Sequence, residues 1–305
     1  MMPRVSIVIP TRNRRASLER SLASVEAQRF RDFEVVVVDD GSVDGTAAWV
    51  RARHPAVLLL ETGQSIGAAA ARNRGVKRAR GEIVAFLDDD DVWRPSFLDV
   101  QVAQLEAHPE ADLGTTGHVE IDTQRRVFRP DLRPLFRYPD AMAHFLAECP
   151  IHTLSVVACR RTVFERIGSF DESLAIVHDL DWYLRIAATG GMMQHHPSAL
   201  VERGVPGGLV TQHRHWFREE QAVHRRFFDA HPVERQRRRR VRALRSLFFA
   251  KVALANADLA FGLVRLAEAI LASPLDAVQI AALRLSRRSR RATAEVWDLS
   301  AWEAR

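Results

Sequence analysis

The chain has 305 residues, 47% hydrophobic and 27% charged, a composition that fits a folded globular protein and excludes a disordered or fibrous one. Its net charge of +6 is uneven: residues 235–245 hold seven Arg and residues 284–291 hold five more, with no acid in either run, so subtracting those twelve charges leaves −6 for everything else. Cys149 and Cys159 are the only cysteines, which excludes a disulfide framework, and no Cys/His zinc spacing is present.

In chain order, Met1–Thr11 lacks the apolar core of a signal peptide, so a cytoplasmic setting is expected. Val5–Ile9 reads as a buried strand ended by Pro10, and residues 17–28 carry Leu18, Leu22 and Val25 at helical spacing. Glu34–Val38 is a second strand running into Asp39-Asp40-Gly41-Ser42, where Ser42 or Asp44 is placed to cap a helix starting near Gly45. Val57–Leu60 reads as a third strand, Ala68–Ala79 as an Ala-rich helix and Glu82–Leu87 as a fourth strand. Strands that are apolar throughout, alternating with helices, predict parallel βαβ units. The fold class expected is α/β, a Rossmann-like, mostly parallel sheet flanked by helices. Ligands of such sheets bind beyond the carboxyl ends of the strands. Pro10–Asn13, Asp39–Ser42 and Asp88–Asp91 should therefore converge on one crevice.

Residues 110–175 alternate short apolar runs with polar loops, among which Val156–Cys159 reads as a strand and Arg161–Ile167 as a short helix. Asp181–Ala188 reads as a helix closed by Gly190-Gly191, and His195-His196-Pro197 as a strand edge. Beyond about residue 218 the chain turns helical and Arg-rich, with Pro274 separating two segments. The expected division is a main domain at 1–220 and a helical extension at 221–305. No uncharged apolar run reaches the roughly 18–20 residues of a membrane span.

Four adjacent carboxylates, Asp88 to Asp91, stand where the fourth strand emerges into solvent. Such a run is either a solvated acidic loop or a site for a hard cation, Mg²⁺ or Mn²⁺, held by one or two carboxylates together with substrate phosphates.

Four segments in this order decide between those readings: Val5-Ser6-Ile7-Val8-Ile9-Pro10-Thr11-Arg12-Asn13, Val37-Val38-Asp39-Asp40-Gly41-Ser42, Ala71-Arg72-Asn73-Arg74-Gly75 and Phe86-Leu87-Asp88-Asp89-Asp90-Asp91. Together they resemble glycosyltransferase family 2 over roughly residues 4–220. The resemblance implies the GT-A fold with a C-terminal helical extension, and a metal-dependent, hexosyltransferase-like activity that inverts the anomeric centre. It places Pro10, Thr11, Arg12 and Asp40 around the nucleotide base, Arg72 near the nucleotide phosphates, and Asp88 and Asp89 in the nucleotide-sugar site. It assigns Asp90 to the metal, Mg²⁺ or Mn²⁺; His213 of Thr211-Gln212-His213 reads either as a further ligand or as part of an ordinary polar loop. Read on its own, Asp40 is equally a helix-capping turn residue, and Arg74 is a surface charge.

The segment His178-Asp179-Leu180-Asp181-Trp182-Tyr183-Leu184-Arg185 resembles the family's Glu-Asp-x-Asp-x-x-x-Arg signature. The matching catalytic carboxylate is Asp179, the base for the acceptor hydroxyl. The chain departs from the pattern with His178 where the family often has Glu. Asp181 and Arg185 read as an i,i+4 ion pair that steadies the segment.

The resemblance implies a nucleoside diphosphate sugar donor and a glycan or lipid-linked glycan acceptor, as in bacterial cell-surface polysaccharide synthesis. The Arg-rich tail fits three readings: contact with an anionic membrane surface, which would place the protein on the inner face of the cell membrane, a solvated helical appendage or oligomer contact, and nucleic acid. The last is not expected, because no aromatic interleaving accompanies the charge. Two rival functions stand beside the transferase. A nucleotidyltransferase would need a Gly-rich phosphate loop, which Pro10-Thr11-Arg12-Asn13 is not. A non-catalytic nucleotide-sugar-binding protein would lack Asp90 or Asp179, and both are present.

Overall fold

The structure is a computed structural model that describes residues 2–121, 127–128, 142, 145–146, 149, 151–204 and 212–274. Its described part falls into two compact units. Of the described residues, the first comprises 2–121 and 151–204, and the second 127–128, 142, 145–146, 149 and 212–274. Among the described residues, Gly204 closes the first unit and those from 212 onward fall in the second.

The first unit is built on strands β1 (Val5–Thr11), β2 (Phe33–Asp39), β3 (Leu58–Glu61), β4 (Ile83–Phe86), β5 (Val92–Trp93) and β6 (Ala111–Ile121). After β7 (Val127–Phe128), which belongs to the second unit, come β8 (Val157–Arg160) and β9 (Met192–Gly204). Helices α1 (Arg15–Glu26), α2 (Thr46–Arg53), α3 (Ala68–Arg78), α4 (Phe97–Ala107), α5 (Thr162–Ile167) and α6 (His178–Ala188) complete this unit.

The strands of the first unit lie in the order β3-β2-β1-β4-β8-β6-β9-β5. The first four run parallel, in register Val5↔Phe33 and Val5↔Ile83 on either side of β1. Strand β8 then runs antiparallel to both β4 and β6, while β9 runs parallel to β6 and antiparallel to β5. The chain leaves β1 outward through β2 and β3 and returns on the other side as β4. The strand order therefore reverses between β1 and β4, and the crevice beyond their carboxyl ends is where such sheets take ligands.

The apolar runs form these strands because both faces of the sheet are covered. Ile7, Val8 and Ile9 of β1 and Val36, Val37 and Val38 of β2 are all inaccessible to solvent. Helix α3 packs its Ala71 on Val36 and Val38, flanked by Leu58 and Leu60. Gly75 of the same helix lies so close to the Val8 side chain that an added Cβ would collide with it. That approach seats α3, and with it Arg72, against the carboxyl half of the sheet.

The second unit contains α7 (His213–Ala230), α8 (Arg235–Ala255) and α9 (Leu259–Ala272). Three arginines of the basic run are tied into this unit. Arg245 forms a buried two-pronged bond to Glu220, 2.6 Å at each contact, with its guanidinium 4.5 Å from the Phe248 ring centre. Arg242 bonds Glu268, and Arg238 bonds the carbonyls of Phe228 and Val233. Arg225, Arg235, Arg238, Arg239 and Arg242 line a cavity of about 450 Å³ between α7 and α8. The second basic run, residues 284–291, lies outside the described residues. No described helix is long and apolar enough to cross a membrane.

Candidate active site

At the switch point, β1 ends in Thr11, whose hydroxyl donates to Asp89 Oδ2 at 2.7 Å, linking the loops after β1 and β4. Asn13 follows with φ at +52°, a left-handed turn that Asn tolerates better than most residues. The turn brings Arg14 back over the acidic run, where one guanidinium nitrogen lies 3.0 Å from Asp89 Oδ1 and 2.8 Å from Asp90 Oδ2. Burial alone would lower the Arg14 pKa, but Asp89 and Asp90 outweigh it and hold the guanidinium charge more firmly than usual. The loop after β2 joins through the same turn: Asn13 N–H donates to Ser42 Oγ at 2.9 Å, and Val43 N–H donates to Asn13 Oδ1 at 2.8 Å. The three loops expected to converge are thus bonded to one another.

Asp40 is committed within this framework. Its carboxylate accepts from Ile66 N–H at 2.7 Å, Ser65 Oγ at 2.7 Å, Gly67 N–H at 3.1 Å and Thr62 Oγ1 at 3.3 Å. Burial pushes its pKa up, but these donors prevail and keep it ionised below the ordinary carboxylate range. It therefore holds the loop that leads into α3. Pro10 lies half-buried and Arg12 exposed at the end of β1.

The four aspartates differ by what surrounds them. Asp88 accepts from Arg72 at Oδ1 and from Thr153 Oγ1 at 3.2 Å at Oδ2, and its own N–H donates to Ser155 Oγ at 2.9 Å. Burial raises its pKa, but the Arg72 charge and bonds bring it below the usual value. Asp91 accepts from Thr153 Oγ1 at 3.0 Å and from Gly204 N–H at 3.2 Å. Burial, then Asp88, push Asp91 upward. A hydroxyl has one proton to give, so Thr153 cannot serve both carboxylates at once, and a proton kept on Asp91 relieves the pair. Asp89 is nearly buried, and that burial raises its pKa despite Thr11 and Arg14. Asp90 has the most exposed side chain of Asp88, Asp89 and Asp90, at 33%, against 28% for Asp88 and 7% for Asp89. Burial and the neighbouring Asp88 raise its pKa as well.

Behind the acidic run, Arg72 is buried on α3. Its guanidinium donates to Asp88 on one side and, at 2.9 Å, to His178 Nε2 on the other. Burial and the Arg72 charge push the imidazolium pKa down to about 3, so His178 is neutral and accepts at Nε2. This is the position where the resemblance led one to expect Glu. A neutral acceptor there takes an Arg72 bond without a second carboxylate, while Arg72 Nε stays buried without a partner. The next residue, Asp179, is half-buried at the start of α6, with Oδ1 accepting from Leu180 N–H at 2.7 Å. Burial lifts its pKa to about 6, against the opposing pull of that bond and of Arg72. Asp181 and Arg185 form the i,i+4 pair read from sequence, at 2.9 Å, and Arg185 also donates to the carbonyls of Ile167 and Ser169.

Of the residues singled out in the sequence, Thr11, Arg72, Asp88, Asp89, Asp90 and Asp179 belong to this one connected cluster. His213 lies in the second unit, where its Nε2 is 2.8 Å from Asp258 Oδ2, a carboxylate that also takes a two-pronged bond from Arg214. Arg14, Thr153 and Ser155 are parts of the cluster that sequence reasoning missed. Arg14 is one residue beyond the first motif, and the acidic run is itself a signal that a nearby Arg would be drawn in. Thr153 and Ser155 carry no such signal.

With this geometry in place, the comparison with known proteins is decisive. Residues 6–168 match the model of Glycosyl transferase family 2. The chain belongs to glycosyltransferase family 2. It is 36% identical over 183 residues to the UDP-Glc:alpha-D-GlcNAc-diphosphoundecaprenol beta-1,3-glucosyltransferase WfgD of Escherichia coli, covering 59% of this chain and 67% of that protein. It is 28% identical over 205 residues to the uncharacterized glycosyltransferase RP339 of Rickettsia prowazekii, covering 66% of this chain but 64% of that relative's length. The crystal structure of Staphylococcus aureus TarS 1–349 superposes with a TM-score of 0.63 at 20% identity, over 90% of this chain and 81% of that one. The mannosyltransferase PcManGT of Pyrobaculum calidifontis, solved with GDP-Man and Mn²⁺, gives 0.55 at 25% identity, over 94% and 80%. The fold is the GT-A fold.

Proposed function

We propose that this chain is an inverting glycosyltransferase that carries a sugar from a nucleoside diphosphate donor to an acceptor hydroxyl, with Asp179 as the base. One observation carries the reading: the chain of bonds Asp88–Arg72–His178 ties the acidic run at the switch point to the residue beside Asp179. A carboxyl whose pKa is about 6 is largely ionised at neutral pH yet basic enough to take a proton in the transition state. The acceptor O–H proton passes to Asp179 as that oxygen bonds to the anomeric carbon. The carbon–oxygen bond to the diphosphate breaks on the opposite side, and its electron pair leaves with the nucleoside diphosphate. A single displacement inverts the configuration.

The donor set fits a hard divalent cation, Mg²⁺ or Mn²⁺. Its chemistry is all oxygen, and Asp90 is the most exposed carboxylate of the run, its pKa raised by burial and then by the neighbouring Asp88. Asp90 would hold the ion, which when bound supplies Lewis-acid stabilisation to the diphosphate. The remaining work falls to the chain itself. Arg14 bonds both Asp89 and Asp90 and so fixes their direction. Arg72 acts as a positioning residue, since both its terminal nitrogens already serve Asp88 and His178.

The acceptor is a glycan built on a membrane lipid. WfgD and a Campylobacter jejuni relative 37% identical over 94 residues are named for lipid-linked acceptors. Exposed arginines of α8 and exposed Leu259, Leu263, Leu266 and Leu271 of α9 support a working place at an anionic membrane surface. The test is release of nucleoside diphosphate from a panel of sugar donors by wild type, Asp90→Asn and Asp179→Asn, with the product anomer read by NMR. Turnover by wild type alone, dependent on divalent metal and giving the inverted anomer, is expected. A retained anomer, or full activity of Asp90→Asn in chelator, would overturn the scheme.

A further inference from the structure

Away from the acidic run, strand β6 carries two metal-ligating residues on one face. His118 and Glu120 are two apart, which puts both side chains on the same side of a strand. His152, one residue before Thr153, comes up against them. The three potential ligand atoms lie within 4.8 Å of one another, and the His118 and His152 rings meet edge to face at 5.6 Å. We infer that His118, Glu120 and His152 form a second metal site, for Zn²⁺, separate from the carboxylate site at Asp90.

Three further observations point the same way. First, His118 is only 6% exposed, yet its Nε2 is buried with no hydrogen-bond partner. Buried polar atoms are rarely left so, and a coordinate bond would satisfy this one. Second, the His118 and His152 rings stand 78° to one another, edge to face and not stacked, so the two imidazoles meet at their rims. Third, Glu120 is already oriented. Arg203, its register partner on β9, donates to Oε1 at 3.0 Å, the kind of outer bond that fixes a ligating carboxylate.

The ligand chemistry selects the ion. Two imidazoles and one carboxylate suit Zn²⁺, with a fourth position left for water, and they favour it over Mg²⁺ or Mn²⁺. Zinc bonds of about 2.0–2.1 Å require ligand atoms roughly 3.3 Å apart. A turn of the exposed His152 ring would close the present spacing. An ion here would clamp the segment before Thr153 onto β6. Thr153 is the residue whose hydroxyl lies against both Asp88 and Asp91. The site is therefore a brace for the acidic run.

The test uses untagged full-length Asp90→Asn protein, stripped by chelator and titrated with Co²⁺ as a coloured stand-in for zinc. One Co²⁺ per chain, with the visible absorption of a low-coordinate nitrogen-ligated ion and displacement by equimolar Zn²⁺, is expected. Adding His152→Gln, an exposed position whose change leaves the fold intact by circular dichroism, should remove the absorption. Wild type in excess Mg²⁺ should give the same spectrum, because Mg²⁺ occupies the oxygen site and does not compete for the imidazoles. No visible absorption in either protein, or an unchanged spectrum with His152→Gln, would overturn the proposal.

Discussion

Asp179→Asn should make the protein more stable and less active at the same time. The ordinary aspartate pKa is 3.8, and in the folded chain Asp179 sits at about 6, raised chiefly by burial. Between those values the native state binds more protons than the unfolded one, so stability falls as pH rises through that window. Above pH 6 the full cost is present. A shift of about two pH units corresponds to about 3 kcal/mol, a ceiling because the carboxylate is only half-buried. Asparagine carries no charge to bury and still offers Oδ1 to Leu180 N–H. The variant should gain up to about 3 kcal/mol at pH 7.5 and almost nothing at pH 4, while turnover falls on the order of 10²–10⁴-fold. Denaturant unfolding at the two pH values, beside donor turnover, reads both quantities. The wild-type kcat/KM should also fall about tenfold per pH unit below 6. Asp91 titrates nearby, raised to about 7 by burial and Asp88, so Asp91→Asn serves as the control that leaves the limb near 6 in place. A stability loss at pH 7.5, or an equal gain at both pH values, would refute the reasoning.

Asp40→Ala removes the acceptor for four donors in loop 62–67 and should cost about 1–3 kcal/mol in chemical denaturation, because the Ile66 and Gly67 N–H groups lose their partner. Arg245→Ala leaves Glu220, at 1% exposure, charged without its partner. It should cost about 3–5 kcal/mol, much of it recovered when Glu220→Gln is added. Replacing the exposed Arg237, Arg239 and Arg240 by Gln should reduce flotation with anionic liposomes at low salt, by about 1 kcal/mol per charge; equal flotation of both proteins would remove the membrane from the proposed function.

How much of this was legible beforehand follows from what each element hides. Strands β1 to β4 were readable because a parallel strand covered on both faces is apolar throughout and its polar residues mark its ends. The strand β6 was not, because its run Ala111–Ile121 buries Asp112, Thr115, Thr116 and His118. Two of those groups are satisfied by partners far along the chain: Asp112 by Arg166, Thr115 by the carbonyl of Gln194. Pairings across 50 to 80 residues leave no local trace. The same holds within the site. The motif pointed to Arg72, but its buried bonds to Asp88 and His178 depend on a helix, a strand end and a second helix meeting. Arg14 became part of the site only through the left-handed turn at Asn13.

The charges of the acidic run explain why donor and cation should bind together. Four carboxylates stand against two bonded guanidiniums, Arg14 and Arg72, and a proton kept on Asp91 leaves about one negative charge near Asp90. A lone divalent ion would overshoot that deficit, and a lone diphosphate would deepen it. Bound together, the ion's two positive charges offset about two of the negative charges that the diphosphate brings. Each should therefore strengthen the other's binding, and by reciprocity to the same factor. The coupling expected of such paired charges is about 1–3 kcal/mol, a factor of roughly 5–150. Calorimetric titration of Mn²⁺ with and without nucleoside diphosphate measures it, and the same pair of titrations in reverse must return the same factor. In Asp90→Asn the factor should fall toward one. Independent binding of metal and nucleotide in the wild type would mean that the negative charge is compensated from elsewhere, and Asp90 would lose its assignment.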